Sequence, residues 1–139
     1  MKNKTYKKIA ILCLLLLLTV LITYFYKQPK LIATETYPIT FNVTKTNLTL
    51  SLYDTLDFGS MPRPGRSTKQ INITNDKNYA VMLENEVIGQ ASQFVKIEKH
   101  INIPAKTNMA INVTINVNEN TSLGHYEGEL IMKAYRGKK

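Results

Sequence analysis

Beyond residue 39 the chain alternates. In residues 109–117, "MAINVTINV", Met109, Ile111, Val113, Ile115 and Val117 fall on one side, and Ala110, Asn112, Thr114 and Asn116 on the other. Period two over nine residues predicts a half-buried β-strand with one dry and one wet face. The same alternation recurs in Ile39-Phe41-Val43, Leu48-Leu50-Leu52, Ile71-Ile73 and Tyr126-Gly128-Leu130-Met132, while residues 79–83 and 94–97 are short β-prone runs. Gly, Pro, Asn, Asp or Ser separates most of them, and no stretch beyond residue 39 carries a helical stripe. Seven to nine short strands with turn signals between them predict an antiparallel β-sandwich over residues 39–139.

The opening third has a different pattern. Residues 9–26, "IAILCLLLLLTVLITYFY", contain no charge over 18 positions, and at about 1.5 Å per residue such a helix reaches roughly 27 Å. This predicts a single transmembrane helix. Lys2, Lys4, Lys7 and Lys8 precede it, and only Lys27 and Lys30 follow closely, so residues 1–8 are expected as a cytoplasmic tail and the remainder as extracytoplasmic. The run ends in Thr-Tyr-Phe-Tyr-Lys with no small-residue cleavage site, which predicts a retained signal anchor with the lipid bilayer as partner of residues 9–26. Residues 27–38, "KQPKLIATETYP", read as a short stalk that pairs as an edge strand only near its end.

Charge changes the picture little. Of 18 Lys and Arg, six flank the anchor, leaving 12 against all 10 acids beyond residue 31. A nucleic-acid footprint is not supported. Cys13 is the only cysteine, which excludes a disulfide, a zinc ribbon and a CxxC pair within the chain; early in the apolar run, it reads as a small apolar side chain.

"LDFGSMPRPGRSTKQINITN", residues 56–75, reads as a corner between strands. Leu56 and Phe58 supply inward side chains, and Gly59 lets the backbone bulge. Pro62 and Pro64 keep the chain extended, Gly65 permits the turn, and Ile71 and Ile73 return to the core. Together with "FVKIEKHINIPAKTNMAINVTINV" and "GHYEGELIM" this stretch resembles the Ig-like modules of the ASH and MSP-like group, relatives of the PapD-type sandwich, over residues 46–135. That resemblance implies an Ig-like sandwich used for adhesion, scaffolding or assembly. It also implies that Tyr126 lies on a last strand hairpinned to residues 109–117. Separately, Ser122-Leu-Gly124-His-Tyr126-Glu-Gly128 has the spacing of a tyrosine corner, ring packed and hydroxyl bonded to loop backbone.

Candidate chemistry is sparse. His100 and His125 have neither HxH nor HExxH spacing. Glu127 and Glu129 share a strand face with Lys133 as neutraliser, and Ser60 and Ser67 have no base or acid in evident reach. No enzyme, metal or cofactor is implied. Arg63, Arg66 and Lys69 form a basic turn that reads either as a binding loop or as a solvated corner. Asn42, Asn47, Asn72, Asn112 and Asn120 each head an N-x-S/T sequon, an arrangement that a glycosylating host would use and that Asn/Thr alternation also generates by itself. The expected function is a membrane-anchored, outward-facing Ig-like module that binds a protein partner at the cell envelope. The alternatives are an accessory subunit of a surface filament or secretion assembly and, below it, a carbohydrate-binding module.

Overall fold

The computed structural model describes residues 2–44 and 56–137. The sequon at Asn47 and the Leu48-Leu50-Leu52 alternation lie outside them. The chain divides into two units, Met1–Lys30 and Leu31–Lys139. The first contains one helix, α1 (Lys2–Lys27).

The transmembrane expectation is corrected here. Among the described residues, no helix is long and apolar enough to cross a membrane. Lysines at both ends of α1 confine its uncharged part to residues 9–26, which at 1.5 Å per residue extends about 27 Å, short of a hydrocarbon core of roughly 30 Å. Thr19 and Thr23 interrupt it, and their hydroxyls turn back onto the helix carbonyls of Leu16, Thr19 and Val20. The signal anchor over residues 9–26, the bilayer as its partner, the single-pass membrane location and the membrane-anchored function fall together.

The second unit has eight described strands: β1 (Leu31–Thr44), β2 (Leu56–Pro62), β3 (Gly65–Asn75), β4 (Val81–Gly89), β5 (Val95–Lys96), β6 (His100–Ile103), β7 (Thr107–Val117) and β8 (Gly124–Arg136). One sheet has the order β2-β1-β8-β4-β6 and the other β3-β7-β5. A single-turn 3-10 helix, Gln90–Gln93, follows β4. The strands form where period two lets every second residue leave water. Ile39, Phe41 and Val43 from β1 share one core with Ile111, Val113, Ile115 and Val117 from β7 and with Leu83, Ile103, Leu130 and Met132 from β4, β6 and β8.

Four local features depart from the sequence reading. Strand β1 begins at Leu31, inside the segment read as stalk, because β8 supplies a partner along its whole length, from Leu31↔Tyr135 to Val43↔Gly124. Strands β1 and β2 run parallel, with Ile39 beside Leu56 and Thr44 beside Pro62, so the larger sheet is mixed. Strand β8 is not hairpinned to β7: the two lie in different sheets, and β8 sits between β1 and β4. Thr114, expected on the wet face, is 8% exposed. It lies in the middle strand of its sheet, flanked by Thr68 on β3 and Lys96 on β5, and its hydroxyl is 2.8 Å from that of Thr68.

Candidate functional site

The corner at residues 56–75 passes the chain from one sheet to the other. Leu56 and Phe58 are buried. Gly59 takes φ 62°, a conformation that favours a residue without Cβ. It falls where β2 places three steps, Asp57 to Ser60, against two on β1, Thr40 to Asn42. Asp57 accepts the Gly59 N–H at 2.9 Å and holds the bulge.

The basic residues of this corner do not converge. Arg63 Nη1 donates to the Thr121 carbonyl in the β7–β8 loop. Within that loop the Thr121 hydroxyl donates to Asn118 Oδ1 at 2.9 Å. Arg66 is exposed beside Asn116, whereas the Lys69 ammonium stands 5.9 Å from the centroid of the Phe58 ring. One guanidinium therefore joins two loops, and the other two cations point elsewhere.

Tyr126 has the two halves of a corner tyrosine. Its ring stacks on Phe41 at 5.2 Å and 12° and meets Phe94 edge-on at 4.9 Å, while its hydroxyl donates to the Ser122 carbonyl at 2.9 Å. Gly128 is needed for close approach: a Cβ there would sit 2.6 Å from the Ile88 carbonyl oxygen and 2.9 Å from the Ala91 Cβ.

The remaining polar candidates are surface groups. His125 has Nδ1 2.8 Å from Asn42 Oδ1 and Nε2 2.9 Å from Glu127 Oε1, so it bridges β1 and β8 on the outer face. His100 faces Glu84 at 3.9 Å, and Lys133 pairs with Glu86 at 3.2 Å. Glu129 lies on the same outer face, Ser60 is half-buried on β2 and Ser67 half-buried on β3. Among the described residues no group of His, Cys, Asp and Glu is placed to hold a metal ion. Of the sequons, Asn42, Asn72, Asn112 and Asn120 are all exposed, and the Asn112 amide oxygen accepts from Gln70 at 3.0 Å.

The sequence reading passed over a groove between the two sheets. It measures about 260 Å³ and is walled by Ala33, Glu35 and Tyr37 of β1 and by the end of β3. Its floor is core: Val81, Leu83, Ile103 and Met132. Asn75 fixes the rim, donating from Nδ2 to the carbonyls of Tyr79 at 2.9 Å and Pro104 at 2.8 Å and accepting the Lys77 N–H at 3.1 Å. An ion pair of 3.0 Å joins Lys77 to Asp76 and holds the Asp76 carboxyl below its usual range. Tyr37 donates to Glu35. Burial first, and then the Glu35 carboxylate, push the Tyr37 phenol up to about 12.

The groove lies open because β1 is only half flanked. Strand β2 joins it from Ile39 onward, and among the described residues no strand lies against the other edge of residues 31–38. A backbone edge beside an apolar trough can accept an extended segment; it cannot perform chemistry.

No family model and no curated protein matches the chain. Among solved structures it is similar to the DraE adhesin in complex with chloramphenicol succinate, at 14% identity and a TM-score of 0.46, over 80% of this chain and 98% of that one. It is also similar to the AfaE-3 adhesin from Escherichia coli, at 12% identity and a TM-score of 0.46, over 78% of this chain and 99% of that one.

Proposed function

We propose that the chain is a non-catalytic, protein-binding β-sandwich that serves as an accessory subunit of a surface filament or adhesin-type assembly. Within that reading, the finer assignment of the sandwich to the Ig-like modules of the ASH and MSP-like group rests on the strand pattern of residues 46–135.

The observation that supports it is the surface of α1. Leu14, Leu15, Leu16, Leu17 and Leu18 are each more than half exposed. Consecutive helical positions are about 100° apart, so five leucines in a row cover every side. An apolar stripe would mark a helix lying on a core; a helix apolar all round needs cover all round. Helices of neighbouring subunits supply such cover in a bundle.

Cys13 provides the test, being the only cysteine and exposed on α1. The full chain, without detergent, is expected to sediment as an oligomer and to form Cys13–Cys13 disulfides on mild oxidation. These should form much faster than the disulfides of a Cys13→Ser chain carrying Asn72→Cys on the outer face of β3. A monomer that oxidises no faster at Cys13 than at position 72, or a helix protected by detergent micelles one chain at a time, overturns the reading.

A further inference from the structure

We propose that the outer face of the smaller sheet binds an extended, neutral polysaccharide along a strip formed by β3 and β7. The strip is separate from α1, and the proposal stands without the helix association above.

Register builds the strip. Strands β3 and β7 pair antiparallel from Gly65↔Val117 to Asn75↔Thr107 without a shift. Their outward positions therefore meet in rungs: Thr68 with Thr114, Gln70 with Asn112, Asn72 with Ala110 and Thr74 with Asn108. All of these except Thr114 are exposed, and none carries a charge. Six residue steps at about 3.4 Å make the strip roughly 20 Å long. Strand β5 flanks β7 only at Thr114 and Ile115, so most of the strip is two strands wide. A long, narrow, open surface fits an extended polymer, whereas a compact ligand is held in a concavity.

The larger sheet shows what a merely solvated face of this chain looks like. Its outer side carries Glu84 and Glu86 on β4 and Glu127, Glu129 and Lys133 on β8. The strip on the smaller sheet replaces charge with amides and hydroxyls that hold one another. The Thr68 and Thr114 hydroxyls are 2.8 Å apart, Gln70 Nε2 donates to Asn112 Oδ1 at 3.0 Å, and Thr74 Oγ1 donates to Asn108 Oδ1 at 3.4 Å. These bonds orient the amides. Gln70 Oε1 is then an outward acceptor, Nδ2 of Asn112 and of Asn108 are outward donors, and the Asn72 amide offers both. Opposite Asn72, the small Ala110 side chain leaves a notch between Asn108 and Asn112.

That mixture selects the partner. Donors and acceptors interleave along the strip, and a hydroxyl answers either. A polysaccharide presents hydroxyls along its whole length and brings no charge. A nucleic acid would need a column of cations, but Arg66 and Lys96 stand only at the end beside Asn116 and Thr114. A protein interface would place an aromatic, Met or Arg anchor at its centre, where the strip has Asn72 and Ala110. With no ring to stack on, each sugar unit contributes weakly and affinity accumulates along the polymer.

The test uses the full chain made in a host that adds no glycan, because a sugar attached to Asn72 or Asn112 would itself cover the strip. Depletion onto amorphous cellulose and onto mannan, both neutral, is measured at low salt and at about 1 M, where the Debye length is about 3 Å. Binding is expected, and it should survive the salt. Asn112→Asp keeps the oxygen that accepts from Gln70 and deletes the outward donor, so affinity should fall about 5-fold, one hydrogen bond of about 1 kcal/mol. Ala110→Leu fills the notch and should weaken binding too, whereas adsorption through apolar surface would be strengthened. Asn102→Asp makes the first change at an exposed position on the larger sheet and should leave binding unchanged. Positions 102, 110 and 112 are all exposed, so the three variants should keep the parent urea midpoint. No depletion by either polysaccharide, or depletion abolished by salt, overturns the proposal. Equal affinity of Asn112→Asp and Asn102→Asp, or tighter binding by Ala110→Leu, overturns it as well. Neither result bears on whether α1 associates, which the Cys13 experiment decides.

Discussion

Removing the Arg63 side chain should separate two loops that nothing else described joins through a charged group. Arg63 is half-buried, and its guanidinium donates to the carbonyl of Thr121, a residue that is itself buried. A hydrogen bond from a charged donor contributes about 1.5–3 kcal/mol. The half-exposed guanidinium keeps part of its hydration, and water can reach the carbonyl once the side chain is gone, which places Arg63→Ala near the lower end, about 1.5 kcal/mol. Arg66, on the outer face of β3, should lie within about 0.5 kcal/mol of zero on the same change. In urea titrations of the full chain, a slope of about 1–3 kcal/mol per molar converts the Arg63→Ala loss to a midpoint shift of roughly 0.5–1.5 M. The slope should stay constant. Arg63→Lys should fall between the two, since an ammonium donates to a carbonyl but without the planar fork. Equal midpoints for Arg63→Ala and Arg66→Ala would refute the loop-joining role and leave the arginine a solvated turn residue.

Three further outcomes follow from burial and spacing. Val113→Asp puts an unpaired carboxylate into the sealed core and should cost more than about 3 kcal/mol in chemical denaturation, while Asn112→Asp on the outer face should be nearly neutral. Gly128→Val should cost about 2–3 kcal/mol, because its Cβ would lie 2.6 Å from the Ile88 carbonyl oxygen and neither β4 nor Ala91 has room to retreat; a wild-type melting temperature for this variant would contradict the packing. Tyr37 has its phenol pushed above the ordinary value of 10 to about 12 by burial and by Glu35. The folded state thus favours the neutral form, and its contribution to stability is whole below pH 10 and is lost as pH rises towards 12. Tyr37→Phe should remove that part of the alkaline decline in urea midpoints, and an unchanged decline would refute it.

Local patterns told most about the faces of strands. The alternation through residues 109–117 placed Ile111, Val113 and Ile115 in the core, and Leu56 and Phe58, read as inward-facing, are buried. Thr114 failed the same rule because a centre-strand position is shielded by two neighbours, and neighbours are not written in a period of two. What pairs with what was less legible still. Strand β1 owes its first half to β8, nearly a hundred residues away, and "LIATETYP" has no alternation strong enough to announce it. The sheet change between β7 and β8 depends on the Asn118–Thr121 loop and on Arg63 from a distant corner. The groove arises because β2 meets β1 halfway along. That offset is a matter of register between strands, and no single stretch of sequence contains it.

The innermost pairing of the larger sheet joins the beginning of the sandwich to its end, Leu31 beside Tyr135 and Val43 beside Gly124. A nascent chain emerging from the ribosome therefore presents β1 with β2, and β4 with β6, long before β8 exists to join the two pairs. Closing so large a loop first and being rewarded afterwards makes folding slow, in the millisecond-to-second range typical of sandwiches with distant pairings. Until residue 136 is available, β1 has β2 beside it from Ile39 onward and lacks β8 along its whole length, which is when it is most open to capture by proteases, by holding factors or by the wrong strand. Any truncation that removes β8 would leave the remaining strands with no common partner, so fragments ending before Gly124 should be cleared rather than accumulate as partly folded domains.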